Sequence, residues 1–176
     1  MLNRLFGRGR KREAARALYI AIVAQARRPE FYVQGAVPDT LDGRFDLLAL
    51  HVFLVLHRLR AEGGETAGLA QTLFDLMFAD MDQNLRELGV GDMSVGRKVK
   101  TMAKALYGRI AAYEPGLNDA ALLADALGRN LYRGRPPETG VLDRVQRYVR
   151  ATAAALAGQG VETLMAGQVR FAELDP

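Results

Sequence analysis

The chain has 176 residues, of which 49% are hydrophobic and 25% are charged, with two histidines and no cysteine. This length and composition are typical of one globular domain that buries a sizeable core. The absence of cysteine excludes disulfides, thiolate catalysis, and zinc or iron–sulfur sites with cysteine ligands.

The formal net charge of +4 is distributed unevenly. Residues 1–28 hold eight basic residues against Glu13, a net charge of +7, whereas the rest of the chain carries −3. A basic arm of this kind favours contact with RNA, a ribosome surface or anionic lipid, although a solvated terminus accounts for the same charges. We therefore predict an arm at 1–28 and a single helical domain at 29–176. The candidate membrane or ribosome contacts are Arg4, Arg8, Arg10, Lys11, Arg12 and Arg16.

No segment has the hydropathy of a membrane span or an export signal. The apolar run Ala17–Ala24 follows basic residues, as in a signal peptide, but it is short and no small-x-small cleavage site precedes Arg27. We expect a bacterial protein of the cytoplasm.

Apolar residues recur at helical spacing along most of the chain, and no segment alternates with the period of a strand. The first ten residues are expected to be flexible, and the Pro- and Gly-containing stretch 29–44 to be a connection. The pattern predicts an all-α, compact bundle of about six helices. The predicted helices are 11–26, 45–59, 65–88, 94–113, 118–132 and 141–159, and a last turn or two is possible in 161–172.

The second of these helices, Phe45–Leu59, is apolar around nearly its whole circumference. A helix of this kind lies inside a bundle, so we predict that it is the buried central helix. Asp42 is the expected N-cap, and Asp46 favours the first turn.

Few residues suggest catalysis. His51 and His57 are six residues apart and point about 120° away from each other on a helix, so they are predicted to be core or boundary residues. A buried pair of His51 with Asp80 stays open at this point, because Asp80 lies beside an apolar arc. The glycines of 89–98 lack a phosphate-loop spacing and a preceding strand, and they are read as a helix end and a helix start. No enzyme motif is present.

The helix predicted at 94–113 carries basic residues of a single sign. Arg97, Lys100 and Lys104 share one face, Lys98 and Arg109 flank it, and no acid occurs between Asp92 and Glu114. A solvated helix face usually mixes charges, so this face is a candidate for binding an acidic partner, RNA or a lipid headgroup.

Two segments resemble a known family. The first is Tyr32 with Val37–Asp46, which leads into the helix that contains His51. The second runs from Phe74–Asp75 and Asp80–Asp82 into Asn84–Tyr113, which includes the single-signed basic face. Together they resemble the ubiquinol–cytochrome c chaperone family, the assembly factors of the cytochrome bc1 complex, over about residues 28–155.

The resemblance implies a non-catalytic chaperone without cofactor or DNA partner, peripheral to the cytoplasmic face of the inner membrane. It implies that cytochrome b, nascent or newly inserted, is the client, and that a ribosome or a small partner subunit takes part. The partner- or client-binding candidates are Arg97, Lys98, Lys100, Lys104, Arg109, Asp75, Asp80 and Asp82, where the three acids form a complementary patch or ion pairs with the basic helix. The alternatives are an RNA- or ribosome-binding helical module, and an enzyme or cofactor carrier.

Overall fold

Eight helices make up the computed structural model, which describes the backbone of residues 2–175 and the side chains of residues 9–175 except that of Glu65. The all-α prediction is confirmed, and each of the six predicted helices is present. Two short helices lie outside these six: α2 is in the stretch expected to be a connection, and α8 is in the segment 161–172, where a last turn or two was expected. The helices are α1 (Leu2–Ala26), α2 (Glu30–Val33), α3 (Leu41–Glu62), α4 (Glu65–Glu87), α5 (Asp92–Gly116), α6 (Ala120–Asn130), α7 (Thr139–Ala157) and α8 (Val161–Met165).

Helix α3 lies at the centre of the bundle and packs against α1, α4, α5 and α7. Between Leu47 and Leu59 its apolar side chains are buried on every side, and Leu47, Leu50 and Leu59 have no exposed surface. Full burial of a side chain of this size contributes about 1.5–3 kcal/mol. The prediction of a buried central helix at 45–59 is confirmed.

The start of α3 differs from the expectation. Asp42 was predicted to be the N-cap, but the helix is capped by Thr40, whose hydroxyl accepts a hydrogen bond from the amide of Gly43 (3.1 Å). The chain passes so close to this turn that a Cβ on Gly43 would lie 2.0 Å from the carbonyl oxygen of Pro38. Asp42 does not cap the helix, and its carboxylate accepts from Arg133, in the segment after α6 (2.9 Å).

Helix α1 begins at Leu2, nine residues before the predicted start of the first helix. The helix packs on α3 and α4, and Leu18 and Ile22 are fully buried there. Its apolar residues thus belong to the same core as α3. The boundary predicted at residue 28 stays a prediction.

The turn between α4 and α5 is tight, with Gly89 in the left-handed region (φ 79°). Ser94 was expected to cap α5, but the helix begins two residues earlier, at Asp92, with Gly91 at the N-cap position. At the other end of α5, the fully packed Gly116 approaches Leu123 of α6, where a Cβ would lie 2.8 Å from the Leu123 Cα.

The segment after α8 folds back over the centre of the molecule. The side chain of Gln159 donates to the carbonyl oxygen of Arg170 (2.7 Å) and accepts from its amide (2.8 Å). This double contact holds the segment so that Phe171 meets the His51 ring edge-on, with centroids 5.5 Å apart.

Candidate partner-binding surfaces

The basic face of α5 is exposed. Arg97, Lys98, Lys100 and Lys104 all point to solvent, and none of them forms an ion pair with another side chain in the described part of the protein. The opposite face of α5 packs into the core through Val95, Leu106, Ile110 and Tyr113. The helix therefore has one apolar inner face and one positive outer face.

Exposed apolar side chains continue this basic face in both directions. Met93 (94% exposed) and Tyr107 (54% exposed) stand on the same helical stripe as Arg97, Lys100 and Lys104, because positions three and four apart are neighbours on a helix. The Tyr107 ring also packs against Phe74 of α4, with centroids 5.3 Å apart.

At the adjacent end of α4, Leu88 is 63% exposed. We call Met93, Arg97, Lys100, Lys104 and Tyr107, with Leu88 of the preceding turn, the α5 stripe. The sequence reasoning found its cations but missed its apolar residues, whose only signal was their position on the same stripe.

Arg109 is not part of the α5 stripe. Its guanidinium donates to the carboxylate of Asp46, which is completely buried, and lies 5.6 Å from the centre of the Phe45 ring. Arg133, which follows α6, donates to the other Asp46 oxygen (2.6 Å) and to Asp42 (2.9 Å). Arg109 is therefore an internal residue that connects α3 with α5.

The Asp46 cluster was missed in the sequence, where Asp46 was interpreted only as a first-turn residue. A carboxylate on a helix that is apolar all round was the available signal, because a buried charge needs partners. Burial raises the pKa of the Asp46 carboxyl, and the guanidiniums of Arg133 and Arg109 act against that rise. Two guanidiniums on one buried carboxylate join α3, α5 and the end of α6.

The three acidic candidates form hydrogen bonds within α4 or with α1. Asp75 accepts from Gln71 (2.8 Å), and Asp82 accepts from Arg86 (2.6 Å). Asp80 accepts from the Tyr19 hydroxyl of α1 (2.7 Å), and this contact together with burial raises the pKa of Tyr19. Among the described residues, none of these three acids forms an ion pair with a basic residue of α5, although such pairs were expected.

His51 is a buried residue of the core. His51 is fully buried, and its Nδ1 lies 2.8 Å from the carbonyl oxygen of Leu47, so this nitrogen carries the proton. Its Nε2 accepts from the Tyr148 hydroxyl (2.7 Å), which in turn accepts from Gln25 (3.1 Å). Burial lowers the pKa of His51 to about 4. The interpretation as a core histidine is confirmed, and a pair with Asp80 is wrong.

The basic residues of α1 divide between two sides. Arg12 and Arg16 line a cleft between α1 and α4, whereas the Lys11 ammonium lies beside Gly68 at the start of α4. Arg10 is exposed. The side chains of Arg4 and Arg8 lie outside the described ones. Among residues 2–175, no helix is both long enough and apolar enough to cross a membrane, and no group of three or more His, Asp or Glu side chains in the described part is placed to hold a metal ion.

Comparison with known proteins assigns the chain to a family. The model of the Ubiquinol-cytochrome C chaperone family matches residues 34–171, which include α3, α5 and the Asp46 cluster. The chain belongs to the ubiquinol–cytochrome c chaperone family.

Relatives of this chaperone include "Ubiquinol-cytochrome-c reductase complex assembly factor 1" of Xenopus laevis, 28% identical over 89% of this chain and 79% of the frog protein. The mouse protein of the same name is also 28% identical, over 92% of this chain but only 55% of its own length. The crystal structure of the Cbp3 homolog from Brucella abortus matches this chain with a TM-score of 0.85 and 38% identity. The match covers 99% of this chain and 98% of the Brucella chain.

Proposed function

We propose that the protein is an assembly chaperone of the ubiquinol–cytochrome c reductase complex, and that it binds newly made cytochrome b through the α5 stripe. Family membership and the names of the frog and mouse relatives support a role in assembly of this complex. The resemblance described above supports cytochrome b as the client. The proposed role is binding without catalysis.

The observation that carries the proposal is the composition of the α5 stripe. A membrane protein that is not yet assembled presents both apolar segments and polar loops. Met93, Tyr107 and Leu88 supply exposed apolar area. The cations of the stripe can form ion pairs with acidic groups of a client and donate hydrogen bonds to its carbonyl groups. Methionine, tyrosine and arginine are enriched at protein–protein interfaces relative to the rest of a protein surface.

Charge reversal on the α5 stripe tests the client contact. The triple variant R97E/K100E/K104E is compared with R135E/R147E/R150E, which reverses three exposed arginines in the loop before α7 and on α7. Both variants change the net charge equally, so a general electrostatic effect changes both in the same way. We expect the first variant to lose capture of pulse-labelled cytochrome b at least tenfold, and the control to retain it.

Equal capture by all three proteins would remove the α5 stripe from the mechanism. The assembly role is tested separately, by deleting the gene and measuring the assembled reductase complex. A strain without the protein that assembles normal amounts of the complex contradicts the proposal as a whole.

The location that we propose is the cytoplasmic face of the inner membrane, with α1 as the peripheral contact. The support is the charge of residues 1–28, a net +7, on a chain that otherwise carries −3. Basic segments are attracted to anionic lipid by about 1 kcal/mol for each cation near the surface. Asp75 and Asp82 remain candidates for polar contacts with a partner, whether the client or a small partner subunit.

The charge of α1 also supports a second candidate function, an RNA- or ribosome-binding module. This function predicts that the protein cosediments with ribosomes whether or not cytochrome b is being made. Binding by phosphate contacts falls steeply with salt, so sedimentation at about 50 and about 200 mM salt identifies it. Cosedimentation that depends on cytochrome b synthesis favours the chaperone.

A further inference from the structure

A cleft of about 710 Å³ runs between α1 and α4. Its apolar lining comes from both helices, with Ile20 and Val23 on α1 and Leu76 and Ala79 on α4. Ile20 is 59% exposed although it stands on a helix that packs against the core. The cleft therefore presents apolar surface that no part of the described chain covers.

Three arginines of α1 and the turn after it, Arg12, Arg16 and Arg27, line the same cleft. None of the three forms an ion pair with another described side chain. Two acids also line it, Glu13 and Asp80, and Asp80 already accepts from the Tyr19 hydroxyl. The arginines outnumber the acids, and their planar guanidiniums match the geometry of phosphate oxygens.

The size of the cleft limits what can occupy it. Sites of about 300–1,000 Å³ are typical of small molecules, whereas a docked protein partner covers a much wider surface. A free phosphate ion would use the guanidiniums but not the apolar lining. A molecule with a phosphate at one end and a hydrocarbon chain at the other uses both.

We propose that the α1–α4 cleft binds one anionic phospholipid of the membrane, with its phosphate at the arginines and an acyl chain along Ile20, Val23 and Leu76. This inference rests on the membrane contact proposed above for α1 and gives it a defined site. The lipid would hold α1 to the membrane by a specific contact in addition to diffuse charge attraction.

Vesicle binding by the purified full-length protein tests the site without any client. The vesicles are phosphatidylcholine alone or phosphatidylcholine with phosphatidylglycerol, and binding is measured by flotation. The variant R16Q/R27Q removes two cleft cations and keeps good helix formers, and R147Q/R150Q removes two exposed cations of α7 as the matched control. We expect R16Q/R27Q to weaken binding to the anionic vesicles about thirtyfold, and the control less than about threefold.

A second pair of variants tests the apolar part of the site. I20S changes the cleft lining, and V33S changes a residue on α2 that is 80% exposed and does not line the cleft. We expect I20S to weaken anionic vesicle binding roughly fivefold and V33S to leave it unchanged. Circular dichroism of each variant confirms that the helices are intact.

Equal losses for the two arginine pairs would show diffuse attraction and overturn the proposal, as would native protein that floats with neither vesicle. Binding of an acidic peptide to the cleft in place of lipid would also overturn it. Because no client is present, failure here leaves the cytochrome b capture experiment as an independent result.

Discussion

His51 should account for a defined part of the stability that the protein loses on acidification. This side chain is completely buried, its Nδ1 donates to the Leu47 carbonyl, and its Nε2 accepts from the Tyr148 hydroxyl. A protonated imidazole would have no acceptor for its second proton unless Tyr148 turned its hydroxyl, and its charge would lie among the rings of Phe31 and Phe171. Burial therefore lowers the pKa of His51 to about 4.

The sign and size of the effect follow from linkage. The unfolded chain binds a proton on this histidine below about pH 6.5, whereas the folded chain does not until about pH 4. The contribution to stability is complete above pH 6.5 and is lost as the pH falls towards 4. Each pKa unit corresponds to about 1.36 kcal/mol, so His51 should account for a loss of about 2 kcal/mol between neutral pH and about pH 5.

Urea unfolding followed by circular dichroism, at about pH 7.5 and about pH 5, measures this loss. Because carboxylates also titrate in acid, the comparison is made with H51Q, whose loss should be about 2 kcal/mol smaller than that of the native protein. H57Q leaves the buried ring in place and should retain the full loss. If H51Q is too unstable to compare, the NMR titration of His51 in the native protein gives the same information. A ring that becomes protonated near pH 6.5 in the folded state would refute the reasoning.

Three further changes test the packing and the polar contacts, each by urea unfolding at neutral pH. G43A should cost at least about 2 kcal/mol, because the new Cβ would lie 2.0 Å from a backbone carbonyl oxygen, whereas G96A, at an exposed helical position with nothing within 4 Å, should be neutral or stabilising by up to about 1 kcal/mol. Similar values for both glycines would contradict the close approach at α3. D46N should cost about 3 kcal/mol by leaving two guanidiniums without their carboxylate, and D39N, in an exposed pair, should cost much less. T40A should cost about 1 kcal/mol through the lost N-cap, and an unchanged stability would show that the cap is not used in solution.

The helices could be predicted from the sequence because their signals are local. The apolar period of 65–88 and the unbroken apolar surface of 45–59 gave the elements and the central position of α3. Helix ends were less accurate, since capping depends on one backbone geometry among several nearby candidates. Asp42 and Thr40 both satisfy the composition of an N-cap, and the approach of Pro38 to Gly43 decides between them.

The surfaces were only partly predictable, because exposure depends on packing between helices that are distant in the chain. The periodicity of α5 placed Arg97, Lys100 and Lys104 on one face, and the structure leaves that face in solvent. The same pattern could not separate Arg109 from them, since its partner Asp46 is 63 residues away. The partner of Asp80, Tyr19, is 61 residues away and was missed for the same reason.

The cleft between α1 and α4 was not predicted either. Its two walls are separated in sequence, and the first of them lies in the segment that was predicted to be a basic arm. A basic amphipathic helix predicts a contact with lipid or RNA in general terms. Only the packing of α1 onto α4 shows that Arg12, Arg16 and Arg27 share a space with apolar side chains.

The most direct test of the account is affinity capture of the protein from membranes during a short pulse of labelled protein synthesis. The account predicts that newly made cytochrome b is enriched in the captured fraction relative to other labelled membrane proteins, and that the enrichment is lost in R97E/K100E/K104E. A captured fraction without cytochrome b, from cells in which the reductase complex is being assembled, would contradict it.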